Sequence, residues 1–445
     1  MRRNDEVLQQ DQQVRFEDVN LHAVIGKELA RTKRYVDYEA TLLGSNKKRE
    51  VRWFFPDGGQ DSQYKRIHVM LEKRSPSDHF RWPLATTCAD TNGFGVLLYR
   101  RKGAALADVA LGPQRPESLR TRIDIALEIV SRFSELHGSR WALEGFDGHE
   151  LTVDIKNSWR AIFDDCGSVV RQDAVEDSER FGRVRSETIG GTSFASDRSA
   201  MSQAIRTLTM SQAIRTLIFS SYPPYWPTID SPDAKAARTS GDASRLGHER
   251  YITPVEEEGL RHWDLLSQEE TALFEGKAVG SGSAAEMTTE RDWESMLAWL
   301  RSKVLLTTCK HELLIDDKTF VKGTGMPEFC PVCKERQRAI SSLSVSTPSG
   351  QRHIPVTDGM RIYRCMCKHN VTENGLDPVL VVVSKPGHEK ALWIKNVSKD
   401  TIKAVDSQGK NRSVEPGGRI PIKPDVTISP FDVDMRIEKA APPGF

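Results

Sequence analysis

The sequence has almost no net charge and no long hydrophobic run. Lysine and arginine number 63 and aspartate and glutamate 62, so the 445 residues carry a formal charge of +1. This balance gives no global case for binding nucleic acid or an anionic membrane. No run of about 18 apolar residues occurs, which excludes an ordinary transmembrane helix. The first residues lead into glutamines instead of a hydrophobic signal core, so we expect a cytoplasmic protein without membrane contact.

Cysteine spacings typical of a disulfide framework are also missing. The chain has seven cysteines, and five of them lie between Cys309 and Cys367. Such crowding in a reducing compartment favours metal binding over disulfides. The length and the 38% content of hydrophobic residues are sufficient for two or three domains with ordinary cores.

A helix, a loop and two short strands are predicted in that order within residues 120–167. Apolar residues recur at helical spacing over 123–136, which predicts a helix with one buried stripe. Short apolar runs at 151–153 and 159–163 then lead into Asp164-Asp-Cys-Gly167. This order resembles the catalytic half of a protein kinase. It is similar in particular to the divergent bacterial kinase-like proteins found with tellurite-resistance and stress systems.

The resemblance implies a bilobal protein-kinase-like fold over residues 14–275. The small lobe would cover 14–100 and the large lobe 101–275. Alternating apolar and polar residues at 35–43 and 47–55 predict two antiparallel strands of the small lobe.

Several groups that a kinase uses for phosphoryl transfer are absent from the matching positions. A kinase opens its catalytic loop with an aspartate and binds a second magnesium ion through an asparagine five residues later. Counting back from 151–153 places Gly145 and Glu150 at these positions. Asp147 is the alternative catalytic residue if the loop is displaced by two residues. The resemblance makes Asp165 the candidate ligand for magnesium and ATP.

The predicted small lobe also lacks the glycine-rich loop that covers nucleotide phosphates. Phe54 stands where the resemblance requires a lysine that binds these phosphates. Arg52 or Lys48 is the candidate to reach the phosphates instead, and a surface charge on a strand is the alternative role. We therefore expect a kinase-like fold with a damaged active site.

The strongest chemical signal is the motif Cys330-Pro-Val-Cys333. Two thiolates at this spacing bind one tetrahedral ion while backbone amides point at the sulfur atoms. Cys309 and His311 precede the motif by about 20 residues. The spacing does not match a RING finger, and His-Glu-x-x-His is missing, which argues against ubiquitin transfer and catalytic zinc.

A further cluster, Cys365-Met-Cys-Lys-His369, follows the motif. The predicted ligands of one structural zinc ion are Cys309, Cys330, Cys333 and either Cys365 or Cys367. His311 and His369 are alternative ligands, and all seven groups can hold two ions if both clusters take part. Ordinary reduced cysteines are the alternative interpretation.

The whole sequence predicts an α+β multidomain protein. Residues 276–292 form a linker, and 293–375 hold a helix and a zinc-ribbon-like module. Short strands separated by turns predict a small β-sandwich at 376–440. This part resembles forkhead-associated domains, which implies protein partners, phosphoproteins among them. The Gly-Arg and Ser-x-x-His elements of that family are not visible before residues 393–396.

We expect a non-catalytic, pseudokinase-type scaffold or regulatory protein. The alternative is a divergent ATP-dependent Ser/Thr kinase that uses Asp147 and Asp165. The missing lysine, aspartate and asparagine argue against it, because each stabilises the transition state of phosphoryl transfer. A nucleic-acid-binding zinc ribbon is a second alternative supported by Lys334, Arg336 and Arg338, although such residues more often form a solvated helix face.

Overall fold

A computed structural model of the chain defines the fold. It describes residues 8–17, 19–56, 60–89, 92–111, 114, 116–143, 150–156, 159–164, 169–171, 266, 270, 289–315, 328–330, 332–337, 340–347, 350–367, 375–385 and 388–441. The chain divides into two units. Unit 1 comprises Met1–Gln114 and Arg132–Met201, and unit 2 comprises Arg115–Ser131 and Ser202–Phe445.

Unit 1 contains an antiparallel sheet with the strand order β1-β2-β3-β4-β6-β5. Its strands are β1 (Gln13–Phe16), β2 (Leu21–Arg31), β3 (Tyr35–Leu42), β4 (Lys48–Phe54), β5 (Ala85–Thr86) and β6 (Phe94–Leu98). Alternate residues of β1 to β3 are buried, which places one apolar face against a core that includes Phe16, Ile25 and Val36. The two strands predicted for the small lobe are confirmed as β3 and β4.

Helix α1 and the end of helix α3 pack in unit 1. Among the described residues of this unit, the helices are α1 (Gln60–Glu72), α2 (Leu106–Leu111) and the last part of α3 (Leu119–Gly138). The indole N–H of Trp82 donates to the Met70 carbonyl of α1 at 2.8 Å. The ring of Phe133 in α3 lies 5.2 Å from that of Phe163. Helix α3 confirms the helix predicted from periodicity.

Short strands complete the described part of unit 1. They are β7 (Ala104–Ala105), β8 (Trp141–Leu143), β9 (Leu151–Asp154), β10 (Arg160–Phe163) and β11 (Val169–Arg171). Strands β10, β9 and β7 form one sheet, and β11 pairs with β8. The predicted strands at 151–153 and 159–163 are therefore confirmed as an antiparallel pair.

Unit 2 begins its described C-terminal part with helix α4 (Glu290–Ser302). A capping box starts the helix, because Thr289 accepts from the Asp292 N–H and Asp292 accepts from the Thr289 N–H. Strands β12 (Val304–Leu306) and β13 (Glu312–Leu314) follow as a hairpin. The helix therefore starts before residue 293, where the linker was predicted to end.

Two antiparallel sheets follow in unit 2. One has the order β15-β14-β23-β22-β19-β20 and the other β16-β17-β18-β21. The strands are β14 (Ile340–Thr347), β15 (Gly350–Pro355), β16 (Arg361–Tyr363), β17 (Pro378–Lys385), β18 (His388–Asn396), β19 (Ile402–Val405), β20 (Asn411–Val414), β21 (Arg419–Pro421), β22 (Thr427–Ser429) and β23 (Met435–Ala441). A short helix, α5 (Arg364–Cys367), follows β16.

The two sheets include strands from before the predicted β-sandwich boundary at residue 376. Strand β14 pairs with β23, and β16 pairs with β17. The β14–β23 pairing joins segments far apart in the sequence, and local alternation of apolar residues cannot show it. Among the described residues, no helix has the length and apolar character needed to cross a membrane.

Candidate functional site

The turn between β12 and β13 carries the first two candidate metal ligands, Cys309 and His311. The Thr307 N–H donates to the His311 carbonyl at 2.9 Å and closes the turn. Lys310 takes a left-handed conformation with φ of 68°, which lets the chain reverse between the two ligands. The sequence Cys-Lys-His therefore forms a compact knuckle at the end of a hairpin.

A second tight turn carries Cys330 and Cys333. Its ends are joined by a bridge between Phe329 and Arg336. The Cys330 N–H donates to the Glu335 carbonyl at 2.8 Å, and the Lys334 N–H donates to the Cys330 carbonyl at 2.8 Å. These backbone bonds hold the two thiols on one side of the turn.

The two turns bring one ligand atom each from Cys309, His311, Cys330 and Cys333 within 4.8 Å of one another. His311 Nδ1 lies 3.3 Å from Cys309 Sγ and 3.5 Å from Cys330 Sγ. A tetrahedral zinc ion has sulfur and nitrogen ligands about 3.6 Å apart, given its usual bond lengths. Three cysteines and one histidine form a donor set that suits structural zinc, so this group can hold a metal ion.

The electrostatics of the three thiols also favour a cation. Burial opposes ionisation of Cys309, but hydrogen bonds from Thr307 and His311 lower its pKa to about 6. The Glu335 N–H lowers the pKa of Cys333, but the interactions with Cys309 and Cys330 and the burial of the thiol together outweigh it, so the net effect is a raised pKa. Neighbouring thiolates repel one another, and a bound cation would offset this repulsion between Cys309 and Cys333.

Two polar residues around the ligands were not identified from the sequence. Thr307 Oγ1 lies 3.1 Å from Cys309 Sγ. Gln337 is buried, its Nε2 lies 3.7 Å from the same sulfur, and its Oε1 accepts from the Thr308 N–H at 3.2 Å. Gln337 thus links the two turns. Gln337 is four residues after Cys333, but this spacing indicates a contact with the ligands only when the fold of the second turn is known.

The structure groups His311, one of the alternative ligands in the prediction, with Cys309, Cys330 and Cys333. Cys365 and Cys367 lie in α5 and do not belong to the four-ligand group. Burial, followed by the nearby charge of Glu294, raises the pKa of Cys365 to about 12, and burial also raises the pKa of Cys367. His311 lies with Cys309, Cys330 and Cys333 because the hairpin turn places its ring next to Cys309. His369 lies outside the described residues.

Arg52, the predicted phosphate-binding residue of unit 1, forms a buried ion pair. Its Nε and Nη2 donate to the two carboxylate oxygens of Asp37 at 2.8 and 2.9 Å. The side chains are 2% and 3% exposed, and the guanidinium lies 3.8 Å from the centre of the Tyr35 ring. Strands β3 and β4 place the two residues opposite each other. Arg52 is thus bound within the sheet.

A second network of charges, buried except for Arg101, surrounds Asp164. Its carboxylate pairs with Arg81 at 3.5 Å and with Arg101 at 2.5 Å. Arg81 also pairs with Glu50 of β4, and the Arg101 N–H donates to Glu50 at 2.7 Å. Two carboxylates and two guanidinium groups therefore balance one another. Asp165, the predicted magnesium ligand, lies outside the described residues.

Of the other residues predicted for the catalytic loop, the structure describes Glu150. Asp147 and Gly145 lie outside the described residues. Glu150 is buried, and its backbone carbonyl accepts from the Asp164 N–H at 2.6 Å. The start of β9 is therefore tied to the end of β10, next to the charge network.

Comparison with known proteins gives no family assignment. No protein-family model matches the sequence, and no curated protein is significantly similar to it.

Structural comparison finds similarity to protein kinases. "Structure of vaccinia related kinase 3" matches with a TM-score of 0.41 and 11% identity, over 66% of this chain and 91% of that chain. A rhoptry kinase from Toxoplasma gondii matches with a TM-score of 0.35 and 14% identity, over 58% of this chain and 85% of that chain. Both TM-scores are low, and similarity at this level does not establish a shared fold.

Proposed function

We propose that the protein is a non-catalytic, kinase-like scaffold or regulatory protein. Unit 1 supplies the kinase-like part, and unit 2 supplies a structural zinc module and two sheets that form a protein-binding β-sandwich. The ligand arrangement of Cys309, His311, Cys330 and Cys333 supports the zinc module. The two sheets with paired strands from residue 340 to residue 441 support the sandwich.

The observation that carries the proposal is the internal pairing of Arg52 with Asp37. A kinase needs a cation on its small-lobe sheet that is available to the nucleotide phosphates. Both partners are buried and bonded through two hydrogen bonds, so binding phosphate would leave Asp37 as an unpaired buried charge. Asp164 is neutralised in a similar way by Arg81 and Arg101.

The zinc ion of the proposal has a structural role. All four protein ligands close a tetrahedral shell, which leaves no position for a substrate or an activated water. When bound, the ion cross-links the β12–β13 turn to the turn at 330–333. We also propose that the sandwich binds proteins, phosphoproteins among them, and that the protein works in the cytoplasm.

Phosphoryl transfer and nucleotide binding test the kinase-like part. The full chain is incubated with radiolabelled ATP, magnesium and a general protein substrate, and thermal shift is measured with ATP and magnesium. We expect no transfer above that of the Asp147→Ala and Asp165→Ala variants, and no magnesium-dependent shift. Transfer that either substitution abolishes would instead establish the divergent Ser/Thr kinase.

Metal content tests the zinc module. We expect the purified full chain to contain one zinc ion, measured by mass spectrometry of the metal. Cys330→Ser should lose the ion, because this buried thiol is one of the four ligands. Cys365→Ser is the matched control and should keep it. Loss of zinc from the control alone would reject the ligand set assigned here.

A further inference from the structure

One corner of the unit 1 sheet concentrates positive charge. Strands β4 and β6 are antiparallel, with Glu50 opposite Leu98 at the end of the paired region. The residues that precede Glu50 therefore lie beside the residues that follow Leu98. We name this corner the basic corner, and it consists of Lys47, Lys48, Arg49, Tyr99 and Arg100.

An exposed aromatic ring lies within the basic corner. The Arg49 guanidinium is 4.8 Å from the centre of the Tyr99 ring, and its Nη1 donates to the Lys48 carbonyl at 2.8 Å. The Tyr99 side chain is nevertheless 52% exposed. Its carbonyl accepts from Arg81 Nε at 2.7 Å, which holds the backbone in place. The ring is therefore held next to a cation and remains accessible to a ligand.

The acidic groups near the basic corner do not balance its charge. Lys47, Lys48 and Arg100 are exposed. The acidic side chain that faces them, Glu39, is 3.9 Å from Arg100 and 3.8 Å from Lys27. Glu50 is buried and already pairs with Arg81. The described cations of the basic corner that are exposed to solvent thus outnumber the nearby carboxylate, Glu39, which is only weakly paired.

We propose that the basic corner binds single-stranded nucleic acid. Lys47, Lys48 and Arg100 contact backbone phosphates, and a base stacks on the Tyr99 ring. Proteins that bind single strands combine a positively charged surface with aromatic rings in this way. An acidic peptide would use the cations but would gain little from an exposed aromatic ring. The net charge of the whole chain does not indicate this surface, because acidic residues elsewhere cancel its positive charge.

Binding to a labelled oligothymidylate tests the proposal. Fluorescence anisotropy is measured with the full chain over a series of potassium chloride concentrations. Lys47→Glu combined with Arg100→Glu should weaken binding at least tenfold at low salt. Loss of two phosphate contacts should also reduce the slope of log affinity against log salt by about 1.4.

A matched control makes an equal change of charge at two other residues of unit 1. Lys65 and Lys73 are exposed residues of α1 and of the turn after it. Lys65→Glu combined with Lys73→Glu should leave the affinity and the salt slope close to those of the unmodified protein. An equal loss in this control would overturn the assignment to the basic corner.

Substitutions that remove or keep the aromatic ring test the role of Tyr99. Tyr99→Leu should weaken binding about five- to hundredfold without changing the salt slope, since base stacking is lost and phosphate contacts remain. Tyr99→Phe keeps the ring and should bind like the unmodified protein. Circular dichroism checks that each variant is folded.

Three results would reject the proposal. The first is no binding of the oligonucleotide at low salt. The second is normal binding by Tyr99→Leu. The third is displacement of the oligonucleotide by polyglutamate as effectively as by unlabelled oligothymidylate, which would identify an acidic protein as the partner.

Discussion

Individual side chains show how the surroundings of a charge set its role. Arg49 and Arg52 are three positions apart in strand β4. Arg52 is buried against Asp37 and serves the fold. Arg49 lies at the sheet corner beside exposed lysines and the Tyr99 ring. The same guanidinium group can thus stabilise a core or contribute to a binding surface, depending on its burial and its partner.

Replacing Arg52 tests its structural role. Arg52→Met should lower the free energy of unfolding by about 3 to 5 kcal/mol, because Asp37 is left buried without a partner. Urea unfolding followed by tryptophan fluorescence measures this loss.

The double variant Arg52→Met with Asp37→Leu is the control for Arg52→Met. It should recover most of the stability, since no unpaired charge remains in the sheet. If Arg52→Met instead kept full stability and abolished a measurable binding of ATP, Arg52 would be a nucleotide ligand.

Two glutamates of unit 2, Glu312 and Glu294, lie in different environments next to helix α3 and on helix α4. Glu312 of β13 accepts from Ser118 Oγ at 2.9 Å and from the Arg120 N–H at 2.9 Å. It therefore caps the first turn of α3, where a negative charge is favourable. Glu294 of α4 is partly buried near Cys365, and burial raises its pKa to about 7. Glu312 thus serves as a hydrogen-bond acceptor, and Glu294 is about half protonated near pH 7.

The cap on α3 gives a local prediction. Glu312→Ala should destabilise the start of α3 by about 1 to 2 kcal/mol, because two donors lose their acceptor. Hydrogen exchange of the backbone amides at 119–123 should become faster. Glu335→Ala removes an exposed glutamate of the second metal turn and should leave this exchange unchanged. Unaltered exchange in Glu312→Ala would show that the cap is dispensable.

The raised pKa of Glu294 predicts that the stability of the protein depends on pH. Its pKa is about 7 in the folded protein against an ordinary value of 4.5, so the folded state binds the proton more tightly. Stability should be greatest below the ordinary pKa and should fall as the pH rises through about 7. The full shift corresponds to about 3 kcal/mol, and partial solvent exposure reduces this to about 2 kcal/mol.

Glu294→Gln tests this dependence because it resembles the protonated carboxyl group. The variant should be about 2 kcal/mol more stable than the unmodified protein near pH 8 and equally stable near pH 4. Urea unfolding at both pH values measures the difference. A constant difference across the range would show that Glu294 does not titrate in it.

At the scale of the whole chain, the candidate metal site brings together residues from two separate turns. Cys309 and His311 belong to a hairpin, and Cys330 and Cys333 belong to a separate turn. A bound ion contributes binding free energy to the folded state of this part of unit 2. Thr307 and Gln337 hold one of the sulfur atoms from outside the ligand shell, which orients it toward the ion.

Removing the metal tests this contribution. A strong chelator should lower the melting temperature of unit 2 and should speed hydrogen exchange at 304–314 and 328–337. Added zinc should reverse both effects, because the ligands are retained. Cys330→Ser should already show the fast exchange and should not respond to the chelator. Unchanged exchange after chelation would show that the two turns do not need the ion.

Local patterns in the sequence predicted much of the backbone. The helical spacing of apolar residues predicted α3, and alternation predicted β3 and β4. The Cys-x-x-Cys motif predicted two of the metal ligands. These signals are reliable because helix and strand periods and a two-cysteine turn involve only neighbouring residues.

Contacts between distant segments were not predictable in the same way. Local signals did not show that His311 would join the three cysteines, that β14 would pair with β23, or that Arg49 would lie beside Tyr99. Sequence alone determined helix α3, strands β3 and β4, and the types of the candidate metal-binding residues. The tertiary structure determined the ligand set, the paired charges and the basic corner, because strand register and turn geometry decide which distant side chains meet.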